Sequence, residues 1–69
     1  MNYRIYQNIT GWEYITTTNK KNLNRIVRSI APETYILIIK HNITEDYDEP
    51  YYHGFAIDYE QKVKKKVIR

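Results

Sequence analysis

Few residues of this chain can do covalent or metal chemistry, and their spacing sets what kind. His41 and His53 stand twelve positions apart on either side of an acid-rich stretch. Carried by the two strands of a hairpin, their rings would meet at its loop end and, with Asp46 or Asp48, supply the nitrogen and oxygen ligands that zinc accepts. A histidine at a strand end is more commonly solvated or bonded to loop backbone, so neither a metal nor a cofactor is expected. Ser29 is the only serine and sits beside Arg28 and Ile30, without the G-x-S-x-G turn that exposes a nucleophile. With no cysteine there is no thiolate chemistry and no disulfide. Asp46-Tyr47-Asp48 opens like a calcium loop, but Pro50 stands where an oxygen ligand belongs, and neither the turn glycine nor the closing glutamate follows. Gly11 and Gly54 are the only glycines, too few for a phosphate-cradling loop. Asn8-Ile9-Thr10 and Asn42-Ile43-Thr44 match the glycosylation sequon, which matters only in a secreted chain. The expectation is a chain that is not an enzyme.

Binding chemistry is better represented. Residues 45–52 set four carboxylates beside three tyrosines. Tyrosine combines a rigid contact area with a hydrogen-bonding tip, which makes Glu45, Asp46, Tyr47, Asp48, Glu49, Tyr51 and Tyr52 the candidate protein-contact residues. The same acids would also imitate a phosphate backbone toward a protein that normally holds nucleic acid. The plainer reading is a polar hairpin loop whose Tyr51 and Tyr52 already belong to a strand. A second candidate surface is basic: Lys21, Arg25 and Arg28 fall together on a helical wheel, and Lys62, Lys64, Lys65, Lys66 and Arg69 crowd the final residues. Both groups suit phosphates, although a helix face kept soluble by charge accounts for the first. Eight tyrosines and Trp12 would offer stacking platforms to single-stranded nucleic acid, but a sheet this small is expected to need most of those rings for its core.

The elements that carry these residues follow from periodicity. Asn2 to Ile9 alternates as a strand, Thr10-Gly11 is a turn signal, and Trp12 to Thr17 is aromatic and β-branched, which together make a hairpin. Thr18 or Asn19 can cap a helix whose Leu23, Ile26, Val27 and Ile30 fall at i, i+3, i+4 and i+7, and Pro32 ends it. Thr34 to His41 is apolar without alternation, the mark of a strand covered on both faces or central in a sheet. Asn42 to Pro50 reads as a long acidic loop. Tyr51 to Tyr59 alternates again, with Tyr51, His53, Phe55, Ile57 and Tyr59 on one face and Tyr52, Gly54, Ala56 and Asp58 on the other. Either face can be the core side, the first for Phe55 and Ile57, the second for the close approach its small residues permit.

The predicted fold is a small α+β domain, β-β-α-β-β, with a mainly antiparallel four-stranded sheet and one helix on a face. In element order it resembles the β-grasp arrangement of small bacterial immunoglobulin-binding domains, where two hairpins flank a single helix. A helix over a plain antiparallel meander fits the same order. Residues 1–61 form the domain and residues 62–69 a basic tail, in which Val63, Val67 and Ile68 leave strand, helix and coil all open.

Composition bounds the setting. The 69 residues are 42% hydrophobic and 28% charged, with a formal net charge of +3. That total hides three blocks: six cations against two acids in residues 1–41, six acids and no Lys or Arg in 42–60, and five cations in 61–69. Such segregation either orients an encounter at low salt or is neutralised within the fold. No apolar segment follows Met1 as in a signal peptide, and the longest apolar run is only Tyr35 to Ile39. A cytoplasmic chain with no membrane segment is expected, of modest stability and open to self-association. The Asn, Ile, Lys and Tyr bias of a tiny single domain resembles the accessory and host-directed proteins of phages and other mobile elements. The expected role is a non-enzymatic protein acting by stoichiometric contact with a protein partner, with nucleic-acid binding through the basic helix face and tail as the alternative.

Overall fold

In the computed structural model, which describes residues 2–60, β1 (Asn2–Asn8) and β2 (Trp12–Thr18) pair as an antiparallel hairpin. The helix α1 (Lys20–Arg28) follows almost at once. Asn19 caps it by accepting from the backbone N–H of Asn22 at 3.0 Å, satisfying one of the donors a helix start leaves free. At the far end the Ser29 hydroxyl donates to the Ile26 carbonyl at 2.6 Å. Arg25 and Arg28 occupy the last turn, where cations meet the negative end of the helix dipole. β3 (Tyr35–Asn42) and β4 (Tyr47–Phe55) form the second hairpin.

The fold is therefore the expected β-β-α-β-β domain with one helix laid on a four-stranded sheet. Its strand order is β2-β1-β3-β4, and every neighbouring pair is antiparallel. Two hairpins flank one helix, as in the β-grasp element order; here they join through β1 and β3, and no pair is parallel. Tyr3 and Ile5 of β1, Ile36 and Ile38 of β3 and Tyr52 of β4 turn to the helix side, where Leu23 and Val27 close over them. Ile26 and Ile30 pack at the margin, so the whole predicted apolar stripe meets the sheet.

Two expectations fail, each for a local reason. The acidic loop is not long: residues 43–46 alone connect the strands. Asn42 makes this possible by accepting from the Glu45 N–H at 3.2 Å, and Asp46 adopts a positive φ of 54°, a conformation Asp tolerates better than most residues. Tyr47, Asp48, Glu49 and Pro50 are consequently strand residues, and a proline is admissible there because β4 is an edge.

The last strand also ends early, at Phe55, because its partner β3 begins at Tyr35 directly opposite. Beyond that point the chain forms a 3-10 turn (Ala56–Asp58), tied down by Ala56 N–H to the Thr34 carbonyl at 2.8 Å and Ile57 N–H to the Pro32 carbonyl at 3.1 Å. The turn brings Ala56 and Tyr59 over the core and leaves Phe55 and Ile57 exposed. A β-bulge at Tyr51 then decides the face of β4: Ile38 lies opposite Tyr52 but Ile39 opposite Pro50, so Tyr51 is the extra residue. Tyr51 and Tyr52 both reach the helix side, Tyr51 edge-on to Tyr3 at 5.0 Å between centroids and Tyr52 edge-on to Tyr59 at 5.2 Å.

Of the two readings of the apolar run, the central strand is the one found: β3 lies between β1 and β4. Ile36 and Ile38 are fully buried, whereas Leu37 and Ile39 are half-buried on a side that, among the described residues, no helix overlies.

Candidate functional site

The residues chosen from sequence are scattered by the fold. Among the acidic group, Glu45 and Asp46 sit on the turn and Tyr47 is exposed at the start of β4. Asp48 is engaged on both oxygens: Arg4 of β1 donates to Oδ2, and His41 Nδ1–H donates to Oδ1 at 2.6 Å. These bonds, His41 first and Arg4 next, hold the Asp48 carboxyl below the usual carboxylate range. Asp46 Oδ1 lies 3.8 Å from His41 Nε2, and Glu49 lies 3.8 Å from Lys40 Nζ. Tyr51 and Tyr52 belong to the core margin and the core. The seven contact candidates do not form one surface.

The basic candidates divide in the same way. Lys21, Arg25 and Arg28 are exposed on α1, away from the sheet, and Arg28 pairs with Glu60. Lys62, Lys64, Lys65, Lys66 and Arg69, with the tail itself, lie outside the described residues. The two histidines do not converge: His41 stands opposite Asp48, and His53 stands opposite Leu37, four residues farther along β3, or about 13 Å at strand rise. His53 Nδ1 instead lies 3.4 Å from the Tyr35 hydroxyl. Among the described residues no cluster of three or more His, Asp or Glu side chains has metal-binding geometry. The Ser29 hydroxyl is spent on the helix end.

What the sequence reading missed is the helix-free face of the sheet. Residues opposite one another across a sheet share a face, and on this side the registers give three rows across all four strands and a shorter fourth of Asn2, His41 and Asp48. The first is Trp12, Asn8, Tyr35 and Phe55; the second Tyr14, Tyr6, Leu37 and His53; the third Thr17, Arg4, Ile39 and Pro50. Five of the ten aromatic residues therefore lie on this face and, with the exposed Tyr47, six lie outside the core, contrary to the expectation that the core needs most of them. Ring contacts bind the rows together. Trp12 and Tyr35 come within 6.3 Å across the small Asn8, Tyr35 meets Phe55 edge-on at 5.2 Å, and Tyr6 meets Tyr14 edge-on at 5.8 Å. Even so, Tyr14 stays 57% exposed, Trp12 50%, Phe55 47% and Tyr35 36%.

The charge on this face is nearly balanced. Among the described residues Arg4 is its one Lys or Arg, and that guanidinium is joined to Asp48 at the end of the sheet where His41 also lies. A solvent-exposed hollow of about 370 Å³ is bounded there by Asn2, Arg4, Thr17 and His41. On the opposite layer, a groove of about 210 Å³ runs between the end of α1 and the 3-10 turn, crossed by the Arg28–Glu60 pair. Its volume is below that of a typical ligand site.

Antiparallel sheets with one solvated face normally put polar residues on it. An aromatic face of this extent, rimmed by a polar cluster, has the anatomy of an interaction surface. A signal was present in the sequence: the unbroken apolar strand from Tyr35 to Ile39 puts apolar side chains on both faces of the sheet, and among the described residues one helix covers one of them. Comparison of the sequence with protein-family models and curated proteins, and of the structure with solved structures, finds no match.

Proposed function

We infer that this chain is a small non-enzymatic binding protein that acts by stoichiometric contact with a protein, using the helix-free face of its sheet. The observation that carries this reading is the array of Trp12, Tyr14, Tyr35 and Phe55, four large rings left 36% to 57% exposed on a rigid sheet. Rigid aromatic groups are the usual anchors of protein interfaces, because they contribute area at little entropic cost. The Arg4, His41 and Asp48 cluster supplies a polar border at one end. A role as an accessory or inhibitor protein of a phage or mobile element, directed at a host factor, is consistent with so small a chain devoted to contact.

The alternative, nucleic-acid binding, has weaker support. Single-strand binding combines stacking rings with cations that follow the backbone. Here Lys21, Arg25 and Arg28 lie on the helix and the rings on the other side of the sheet, so one strand would not meet both through α1; the tail cations Lys62, Lys64, Lys65, Lys66 and Arg69 that complete this reading lie outside the described residues.

Affinity purification of the tagged chain from its native cell, with and without nuclease, separates the readings. A protein captured at constant stoichiometry after nuclease supports contact with protein; loss of all capture on nuclease treatment overturns it. With the partner in hand, Trp12→Ala and Phe55→Ala should each weaken binding by about 1–3 kcal/mol, as interface anchors do. Unchanged affinity in both variants would move the site elsewhere.

A further inference from the structure

We propose that a second copy of this chain occupies the helix-free face, the two sheets stacking as the layers of a sandwich around a twofold axis. The inference rests on reading that face as a protein-contact surface and names its occupant in the free protein.

Area is the first argument. At about 150–250 Å² per aromatic side chain, the exposed fractions of Trp12, Tyr14, Tyr35 and Phe55 leave about 400 Å² open. Tyr6, Leu37, Ile39, Pro50 and His53 raise the face to roughly 700 Å², close to the ~800 Å² per partner that a standard specific interface buries.

Charge is the second. A face that meets its own copy suffers from any net charge it carries, since like meets like across a twofold axis. Among the described residues this face carries one Arg and one Asp, already paired to each other, and so opposes self-contact little. The six Lys and Arg of the described residues are otherwise on the helix side, away from the contact. A strongly basic or acidic partner would find no complementary field here.

Shape is the third. The described residues form a slab of 34 × 33 × 17 Å, two layers thick, and leave one apolar sheet face uncovered. Two sheets stacked about 10 Å apart interdigitate their inner side chains into a second core, and a chain of this size gains most from such added burial. Self-association and capture of another protein would use the same rings and so compete, which makes the free concentration of the chain a regulator of the site.

Sedimentation velocity on the full chain, from about 1 to about 500 µM, tests this. The 8.4 kDa monomer should give way to a dimer with no larger species, because a twofold contact closes at two. The double variant Trp12→Glu, Tyr14→Glu should weaken the dimer at least about 100-fold, while Arg25→Glu on the helix should leave it intact. Circular dichroism of each variant confirms folding, which these exposed positions should not disturb. A monomer throughout, a dimer that survives the double variant, or an open series of oligomers would each overturn the proposal. The two readings fail separately: a monomeric parent whose double variant loses its protein partner refutes self-contact alone. A dimer whose double variant still captures that partner normally refutes the contact reading alone.

Discussion

Asp48 shows how a residue chosen for contact is also employed by the fold. It ties three strands, through His41 on β3 and Arg4 on β1, and both partners favour its ionised form. A carboxyl whose value falls on folding contributes stability above the unfolded value of about 4, and that contribution is lost as pH drops through the lowered folded value. Asp48→Asn should therefore melt below the parent at pH 7 and converge with it below about pH 3. Thermal melts at both pH values check this, and a gap of equal size at low pH would contradict it. The contribution is modest and screened by salt, since the group is exposed. Gly54 makes a sharper case. Its φ of 152° is strained for any L side chain, and a Cβ there would stand 2.7 Å from the Tyr52 hydroxyl. That hydroxyl donates to the Phe55 carbonyl at 2.7 Å, so the ring would have to give up this bond to move aside. Gly54→Ala should cost about 1–3 kcal/mol in denaturant unfolding, and a melt matching the parent would show that the ring can move aside.

At the scale of elements, what was legible in the sequence is what has a period. The helix follows from Leu23, Ile26, Val27 and Ile30 together with the Asn19 cap, and Leu23 and Val27 are buried where the stripe predicts. Leu23→Ala should thus destabilise by about 2–5 kcal/mol, as a buried leucine does when a cavity replaces it. Tyr47→Ala, at an exposed edge position, should change stability by less than ~0.5 kcal/mol. Denaturant titrations of the two variants test the layer assignment, and comparable losses would refute it. The boundaries of β4 were not legible because composition misleads at an edge. Acids and a proline read as loop, yet they are also what keeps an edge strand from pairing with another chain. The face of β4 was hidden by the bulge at Tyr51, since one inserted residue exchanges every later side chain between faces. The aromatic face escaped because each strand, judged alone, accounted for its rings as core. Only counting apolar faces against helices would have revealed the surplus.

For the whole molecule, the three charge blocks prove partly self-answering. Arg4 with Asp48, Lys40 with Glu49 and Arg28 with Glu60 each join a cation of residues 1–41 to an acid of residues 42–60. Segregation along the chain thus becomes pairing in space, with little net stabilisation from any one exposed pair. Stability must come from a single core on one side of the sheet, and tyrosine supplies a large share of it. Burial pushes the phenols of Tyr3, Tyr52 and Tyr59 above their ordinary value, Tyr59 most of all. A phenol whose value rises on folding contributes stability that is complete below the unfolded value of about 10 and is lost as pH climbs through the folded value. All three rings share one core, so their ionisation should accompany cooperative unfolding above pH 10 rather than precede it. Tyr59→Phe, which keeps the ring and removes the ionisable hydroxyl, should stand close to the parent at pH 7 and gain on it steadily above pH 10. Chemical denaturation at both ends of that range measures the difference. A variant that tracks the parent at every pH would mean that alkaline unfolding, where it occurs, is driven by groups outside this core.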